Sequence, residues 1–178
     1  MRSVVATVLI VTAAIAGVAY GSNAPSLDRS GVSFEVPSGW SSTNGRINGV
    51  IDPVTVFTLS THPLGKGSAS SLGPSAGICS AVLQRAWRPD FAYVQLTEER
   101  DGASRRTMLR RVPLRPKHFV LHAKGAGGLC TPADSGQVTF QQGGRAFYVH
   151  YGFGPMASKA TRARAAALLD SLRITPRR

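Results

Sequence analysis

Acidic residues are scarce in this sequence. The 178 residues include 9 Asp and Glu but 21 Lys and Arg, so the formal net charge at pH 7 is +12. A charge excess of this size favours anionic surfaces or polymers as partners. A bulk composition rich in Arg, Ala, Gly and Pro, as a GC-rich genome produces, is the alternative explanation.

Recognisable catalytic and ligand-binding motifs are lacking. No G-x-S-x-G sequence frames Ser38, so the nucleophile elbow of a hydrolase is not indicated. The glycine-rich residues 125–128 are not followed by the helix that a phosphate-binding loop needs. Asp52, Asp134 and Asp170 are isolated and form no paired-carboxylate motif. The sequence therefore predicts neither a cofactor nor a metal site, and it does not specify a biochemical activity.

Aromatic residues make up only 7% of the chain. No run of them resembles the RNP motif, whose aromatic side chains stack on single-stranded RNA bases. The sequence therefore argues against nucleic acid as the partner of the basic residues.

A single long hydrophobic run is present, VVATVLIVTAAIAGV at residues 4–18, and it follows the basic Arg2. Its length of about 15 residues is typical of a signal peptide. Ala19 and Gly21 fit the pattern that signal peptidase cleaves, so residues 1–24 are predicted to direct secretion. With residues 19–21 the run approaches the roughly 20 residues of a spanning helix, so an uncleaved membrane tether through residues 3–21 is the alternative. No Cys lies near residue 20, which excludes lipid attachment through an N-terminal Cys.

Only two cysteines are present, Cys79 and Cys130, and both follow the export segment. An even number of cysteines in an exported chain favours a disulfide. Closing a loop of about 50 residues would stabilise the fold by roughly 4 kcal/mol. The alternative is a nucleophilic cysteine that works with His118 or His122.

The residues after the export segment predict one α+β domain over 31–175, with a polar linker at 25–30 before it and a basic tail at 176–178. Helices are predicted at 76–87 and 158–171, the second with Ala160, Ala163, Ala167 and Leu168 on its apolar side. The Gly143-Gly144 pair predicts a tight hairpin turn. The fold class is α+β, a largely antiparallel sheet flanked by two main helices. The predicted strands are 31–37, 54–60, 91–98, 107–112, 118–122, 137–142, 145–151 and 172–175.

Two short segments carry a family resemblance. GVSFEVPSGW at residues 31–40 resembles the opening strand and Pro-x-Gly-Trp turn of the PsbP-like superfamily, and LLDSLRI at 168–174 resembles its closing helix and strand. That superfamily includes small exported actinobacterial proteins of the LpqN-like type. The resemblance implies an antiparallel sheet between helices and an accessory or binding role without catalysis. It covers about 20 residues and assigns no functional residue, and the Cys79–Cys130 pair is not part of it.

The sequence RRTMLRRVPLRPK at residues 105–117 contains no acidic residue. Clustered Arg side chains bind phosphate and carboxylate groups. We therefore expect an anion-binding strip here, for an anionic lipid or a cell-wall polymer; a protein partner is a further possibility. A solvated strand whose charges balance Glu98, Glu99 and Asp101 is the alternative. The predicted anion-binding residues are Arg105, Arg106, Arg110, Arg111, Arg115 and Lys117.

These features together favour an exported, non-enzymatic accessory or binding protein of the cell envelope. One alternative is an envelope hydrolase with His118, His122 or His150 as its base. Another is a purely structural envelope protein. A small-ligand groove lined by Tyr148, Tyr151 and Phe153 is a further hypothesis.

Overall fold

The computed structural model describes residues 26–43, 52–64, 83, 86–122 and 134–177. The predicted signal or anchor at 1–24 and both cysteines lie outside these residues. No helix in the described ranges is long and apolar enough to span a membrane. The elements are β1 (Ser26–Arg29), β2 (Val32–Glu35), β3 (Ser41–Thr43), β4 (Val54–Ser60), β5 (Ala92–Glu99), α1 (Gly102–Arg111), β6 (Asp134–Gln142), β7 (Arg145–Phe153), α2 (Lys159–Asp170) and β8 (Arg173–Ile174).

The strands form two antiparallel sheets. The larger has the order β3-β4-β5-β7-β6, and the smaller has the order β1-β2-β8. Strand β5 is the centre of the larger sheet, and all eight of its residues are buried. The predicted α+β class with antiparallel sheets is confirmed.

The main core lies against one face of the larger sheet, which we call the inner face. Alternate residues of β5 and β7 point to it, among them Val94, Leu96 and Val149. Helix α2 covers this face with Ala165, Leu168 and Leu169. Burying one Leu of this kind contributes roughly 1.5–3 kcal/mol, so the apolar pattern accounts for the position of the helix.

The predicted hairpin is confirmed. Strands β6 and β7 pair from Gln142 and Arg145 outwards, with Gly143 and Gly144 between them. Both glycines have positive φ angles, 58° and 70°. A two-residue turn of this kind needs positive φ at both positions, which glycine adopts at low cost.

The strand predicted at 107–112 is wrong, because residues 102–111 form helix α1. Asp101 is its N-cap, and its carboxylate accepts hydrogen bonds from the Ala103 N–H at 3.1 Å and the Ser104 N–H at 2.8 Å. The pair Asp-Gly is typical of a turn, but here Asp101 is the N-cap and Gly102 begins the helix. Apart from Gly102 and Ser104 in the first turn and the β-branched Thr107, the helix consists of good helix formers.

Two further segments differ from their predictions. The predicted linker at 25–30 contains strand β1, which pairs along its whole length with β2. The predicted strand at 118–122 is irregular chain instead. Its Phe119 is buried, and the Phe119 N–H donates to the Asp170 carboxylate at 2.8 Å. The segment is thus held by the burial of Phe119 and by its hydrogen bond to the end of α2, and not by pairing with another strand.

Helix α2 begins after the N-cap Ser158 and ends before Ser171, as predicted, but its predicted apolar side is correct only for Leu168. Ala160, Ala163 and Ala167 are exposed, and Ala165 and Leu169 are buried together with Leu168. The two leucines determine which side faces the core, because each has more apolar surface to bury than an alanine.

The predicted closing strand and basic tail have defined positions. Strand β8 pairs with β2, which brings residues 173–174 to the smaller sheet. The Arg177 N–H then donates to the Gly143 carbonyl at 3.0 Å. The described part of the tail therefore lies against the β6–β7 turn.

Of the helix predicted at 76–87, the structure describes Leu83, Ala86 and Trp87. Leu83 and Ala86 are helical, and Trp87 is not. Leu83 is fully buried in a second, smaller apolar cluster with Phe91 and Tyr93.

A buried arginine, Arg145, links the two sheets. Its guanidinium on β7 donates to both carboxylate oxygens of Glu98 on the neighbouring strand β5, at 2.9 and 2.8 Å. It also donates to the Ser30 and Gly31 carbonyls in the turn between β1 and β2, and to the Thr175 carbonyl just after β8. Burial works to raise the pKa of Glu98, but hydrogen bonds and charge from Arg145 and Arg100 outweigh it, and the net effect is a lowered pKa.

Candidate functional site

Helix α1 presents most of the predicted anion-binding residues. Arg106, Arg110 and Arg111 are exposed, and so is Lys117 in the segment that follows the helix. Arg106 and Arg110 are four residues apart and are therefore neighbours on one side of the helix. We call these four residues the basic face.

The charges of the basic face are not neutralised by ion pairs. All nine acidic side chains of the chain lie within the described ranges. None of them forms an ion pair with Arg106, Arg110, Arg111 or Lys117 there. Hydrogen bonds from Ser104, and to a lesser extent the charge of Arg106, lower the pKa of Asp101 at the start of the helix. The proposal that these arginines merely balance neighbouring acids is thus not supported by the contacts.

Arg115 has a different role from the one its sequence position suggests. Its guanidinium donates to the Leu172, Leu169 and Asp170 carbonyls at 2.6, 2.9 and 2.9 Å, and to the Gln142 side chain at 3.2 Å. The carbonyls lie at the C-terminal end of α2, which carries a partial negative charge. Arg115 therefore holds α2 to the β6–β7 hairpin, and its Nη1 and Nη2 donors are occupied by internal acceptors.

Arg105 also differs from the exposed cations. Its side chain is half-buried, and its Nε is buried without a hydrogen-bond partner. Arg105 therefore does not belong to the exposed basic face.

An open groove of about 390 Å³ lies beside the basic face. It is lined by residues 114–117 on one side and 141–143 on the other. The Gln141 side chain donates to the Leu109 and Val112 carbonyls at the end of α1, which fixes the helix next to this groove. Leu114, 76% exposed, provides an apolar wall. The groove thus combines a cation, Lys117, with an apolar contact.

The three histidines named as candidate bases do not assemble into one site. His118 is exposed and lies 3.3 Å from the Asp170 carboxylate. His122 is exposed, and its backbone carbonyl accepts the Tyr151 hydroxyl. His150 lies in the middle of β7, on the sheet face away from the core. Within the described ranges no Ser hydroxyl donates a hydrogen bond to any of them.

The predicted aromatic groove is wrong. Tyr151 and Phe153 are buried in the core against the inner face of the larger sheet. Tyr148 is an odd number of residues away from both on β7, so its side chain points to the opposite face. The three rings therefore cannot line one groove.

The opposite face, which we call the outer face, is polar and partly buried. The register places Thr58, Gln95 and His150 side by side on β4, β5 and β7. Thr97 lies two residues further along β5. Thr58, Gln95 and Thr97 are at most 3% exposed. Strand alternation predicts that such residues face solvent, so no sequence pattern indicates their burial.

Among the residues that the structure describes, four atoms of the outer face have no hydrogen-bond partner. They are Thr58 Oγ1, Gln95 Oε1, Thr97 Oγ1 and His150 Nδ1. Each buried polar group that lacks a partner costs about 1–3 kcal/mol. Burial also lowers the pKa of His150, so its imidazole is neutral at pH 7. We call these four residues the polar cluster.

Comparison of the chain with family models, with curated proteins and with solved structures finds no match. The functional inference therefore depends on the geometry above. Cys79 and Cys130 lie outside the described residues, and their disulfide stays a prediction.

Proposed function

We propose that this chain is an exported, non-enzymatic binding protein of the cell envelope, and that its basic face contacts an anionic polymer or lipid surface. The observation that supports the proposal is the exposure of Arg106, Arg110, Arg111 and Lys117 without an ion pair to any of the nine acids, all of which are described. Cations in this state retain their full capacity to bind phosphate and carboxylate groups.

The compartment is part of the proposal and is supported by the sequence. The basic residue and hydrophobic run at 2–18 have the composition of an export signal. The PsbP-like resemblance at residues 31–40 and 168–174 belongs to the same proposal. It is supported by the antiparallel sheets and by the closing helix and strand, which have the order that the resemblance implies.

Binding to anionic surfaces tests the proposal. The protein should sediment with vesicles that contain phosphatidylglycerol, but not with vesicles of phosphatidylcholine alone. Retention on immobilised polyphosphate tests a polymer as the partner instead. Both kinds of binding should weaken as salt is added, because counterions screen exposed charges.

The decisive variant removes three charges of the basic face, as Arg106→Gln, Arg110→Gln and Arg111→Gln together. Each basic residue near an anionic surface contributes about 1 kcal/mol, so the triple variant should bind about 100-fold more weakly. The matched control is Lys159→Gln, Arg164→Gln and Arg173→Gln, which removes three exposed charges elsewhere. Equal losses in both variants would show that net charge alone drives binding, and would contradict the assignment to the basic face.

A further inference from the structure

An exposed apolar tip lies directly after helix α1, between two cations of the basic face. Pro113 and Leu114 are adjacent and both exposed, Leu114 to 76%. Arg111 comes three residues before Leu114, and Lys117 three residues after it. Three residues of chain span at most about 11 Å, so the Cα atoms of both cations lie within this distance of the Leu114 Cα. We call Pro113 and Leu114 the apolar tip.

Backbone hydrogen bonds fix the apolar tip at the edge of the larger sheet. The Gln141 N–H donates to the Pro113 carbonyl, and the Arg115 N–H donates to the Gln141 carbonyl, both at 2.9 Å. Leu114 is thereby paired with Gln141 on β6. Because the tip already has a defined position, a partner that covers it does not have to order a mobile loop first.

The apolar tip and the end of α1 lie on the same side of the larger sheet. Residues paired across neighbouring strands point their side chains to one face, so Leu114 shares a face with Gln141. The Gln141 amide donates to two carbonyls at the end of α1. Arg115 is one residue further on and points the other way, to α2. Leu114 therefore extends on the side where the last turn of α1 carries Arg110 and Arg111.

The open groove of about 390 Å³ gives a partner space beside the apolar tip. Residues 114–117 line one side of it and residues 141–143 line the other. Lys117 is exposed and belongs to this lining, so an anionic group in the groove would meet a positive charge close to the Leu114 side chain. A phospholipid supplies the anionic group in its headgroup and an apolar phase in its acyl chains.

The combination of an apolar tip and cations fits a surface that is both anionic and apolar. A soluble polyanion offers counter-charges but no apolar phase for Leu114. A bilayer with anionic lipids offers both, with phosphates at its surface and acyl chains directly beneath. We propose that the apolar tip inserts into a bilayer of anionic lipids while Arg110, Arg111 and Lys117 contact the headgroups. The insertion depends on the proposed function, anion binding by the basic face, and makes a lipid surface the partner.

Sedimentation of the full chain with vesicles tests the insertion through Leu114→Ser. On vesicles that contain phosphatidylglycerol the variant should bind about 10-fold more weakly than the wild type, because it loses the transfer of a leucine side chain out of water. On immobilised polyphosphate the two should bind equally. Their melting temperatures should also agree, because Leu114 is exposed.

The matched control is Met156→Ser. Met156 is 73% exposed, so it also offers apolar surface to solvent. It follows the end of β7 that is away from the β6–β7 turn, whereas Leu114 pairs with Gln141 beside that turn. The control should bind the vesicles as the wild type does. An equal loss in both variants would show that any exposed apolar side chain assists binding, and would overturn the assignment to the tip.

Leu114→Trp measures the depth of the tip independently of affinity. Brominated acyl chains quench the fluorescence of an indole that lies among them, so they should quench this variant more strongly than the wild type. The wild type contains Trp40 and Trp87, which are buried and half-buried in the fold and provide the baseline. Quenching no greater than that of the wild type would overturn the insertion, whatever the stability of Leu114→Ser.

The remaining outcomes separate the insertion from the proposed function. Undiminished vesicle binding by Leu114→Ser, or an equal loss on polyphosphate, would overturn the insertion alone. Retention of the wild type on polyphosphate without binding to vesicles would also overturn the insertion and leave the anionic polymer as the partner. Binding of the wild type to neither would overturn the proposed function as well.

Discussion

Arg145 and the exposed arginines of α1 show the same side chain in opposite environments. Arg145 is 3% exposed and makes five hydrogen bonds, two of them to Glu98. Arg106, Arg110 and Arg111 are exposed and form no ion pair with a described acid. Arg115 belongs with Arg145, although it lies only four residues from Arg111. The role of an arginine therefore does not follow from its position in the basic sequence run. It follows from the hydrogen-bond acceptors that the fold places beside it.

The largest effect is expected for Arg145→Ala, which leaves the buried Glu98 carboxylate without its main partner. Breaking a buried ion pair on one side costs about 3–5 kcal/mol. Urea unfolding should show this loss. The control Arg162→Ala removes the more exposed pair with Asp134 and should cost about 1 kcal/mol or less. Similar losses for both variants would contradict the structural role assigned to Arg145.

Arg115→Ala is expected to have an intermediate effect. The substitution removes charged hydrogen bonds to three carbonyls at the end of α2, and bonds of this kind contribute about 1.5–3 kcal/mol. Amide hydrogen exchange should also accelerate in the last turn of α2. Lys117→Ala is the nearby control, because Lys117 is exposed, and it should change stability by about 0.5 kcal/mol or less. If Arg115→Ala leaves the free energy of unfolding unchanged, Arg115 belongs with the exposed arginines instead.

Arg110→Ala is expected to have the smallest effect on stability, about 0.5 kcal/mol or less in either direction. Removing Arg110 ends its repulsion with Arg106, a like charge at a helix neighbour position, and alanine is the better helix former. The substitution also removes a cation from the last turn of α1, where positive charge is stabilising. The electrostatic part of the change should shrink as salt is added. A loss above about 1 kcal/mol would instead show that Arg110 contributes to folding.

Short sequence patterns correctly predicted the elements whose formation depends on residues that are close together in the chain. The alternation at residues 91–98 and the two glycines at 143–144 correctly predicted a strand and a hairpin. The Asp101-Gly102 pair suits both a turn and a helix N-cap, so sequence alone could not assign α1. The buried residues of α2 could not be selected by counting alanines, because Leu168 and Leu169 determine the side that packs.

The site could be predicted only in part. The basic run indicated the region of α1, but the three carbonyl acceptors of Arg115 lie 54 to 57 residues away and carry no sequence signal. Strand alternation over the predicted strand 91–98 places Gln95 and Thr97 on the face opposite Val94 and Leu96. Their burial depends on which residues pack over that face, and strand alternation carries no information about this packing.

The bonds that Arg145 makes to the smaller sheet have a kinetic consequence. They join residues as far as 115 positions apart in the chain. Contacts between distant residues form slowly, because loop closure costs entropy before any bond is gained. Strands β5 and β7 must already pair to place Glu98 beside Arg145, so the link from this ion pair to the smaller sheet forms only after they do. We therefore expect the contacts of Arg145 with the smaller sheet to form late during folding.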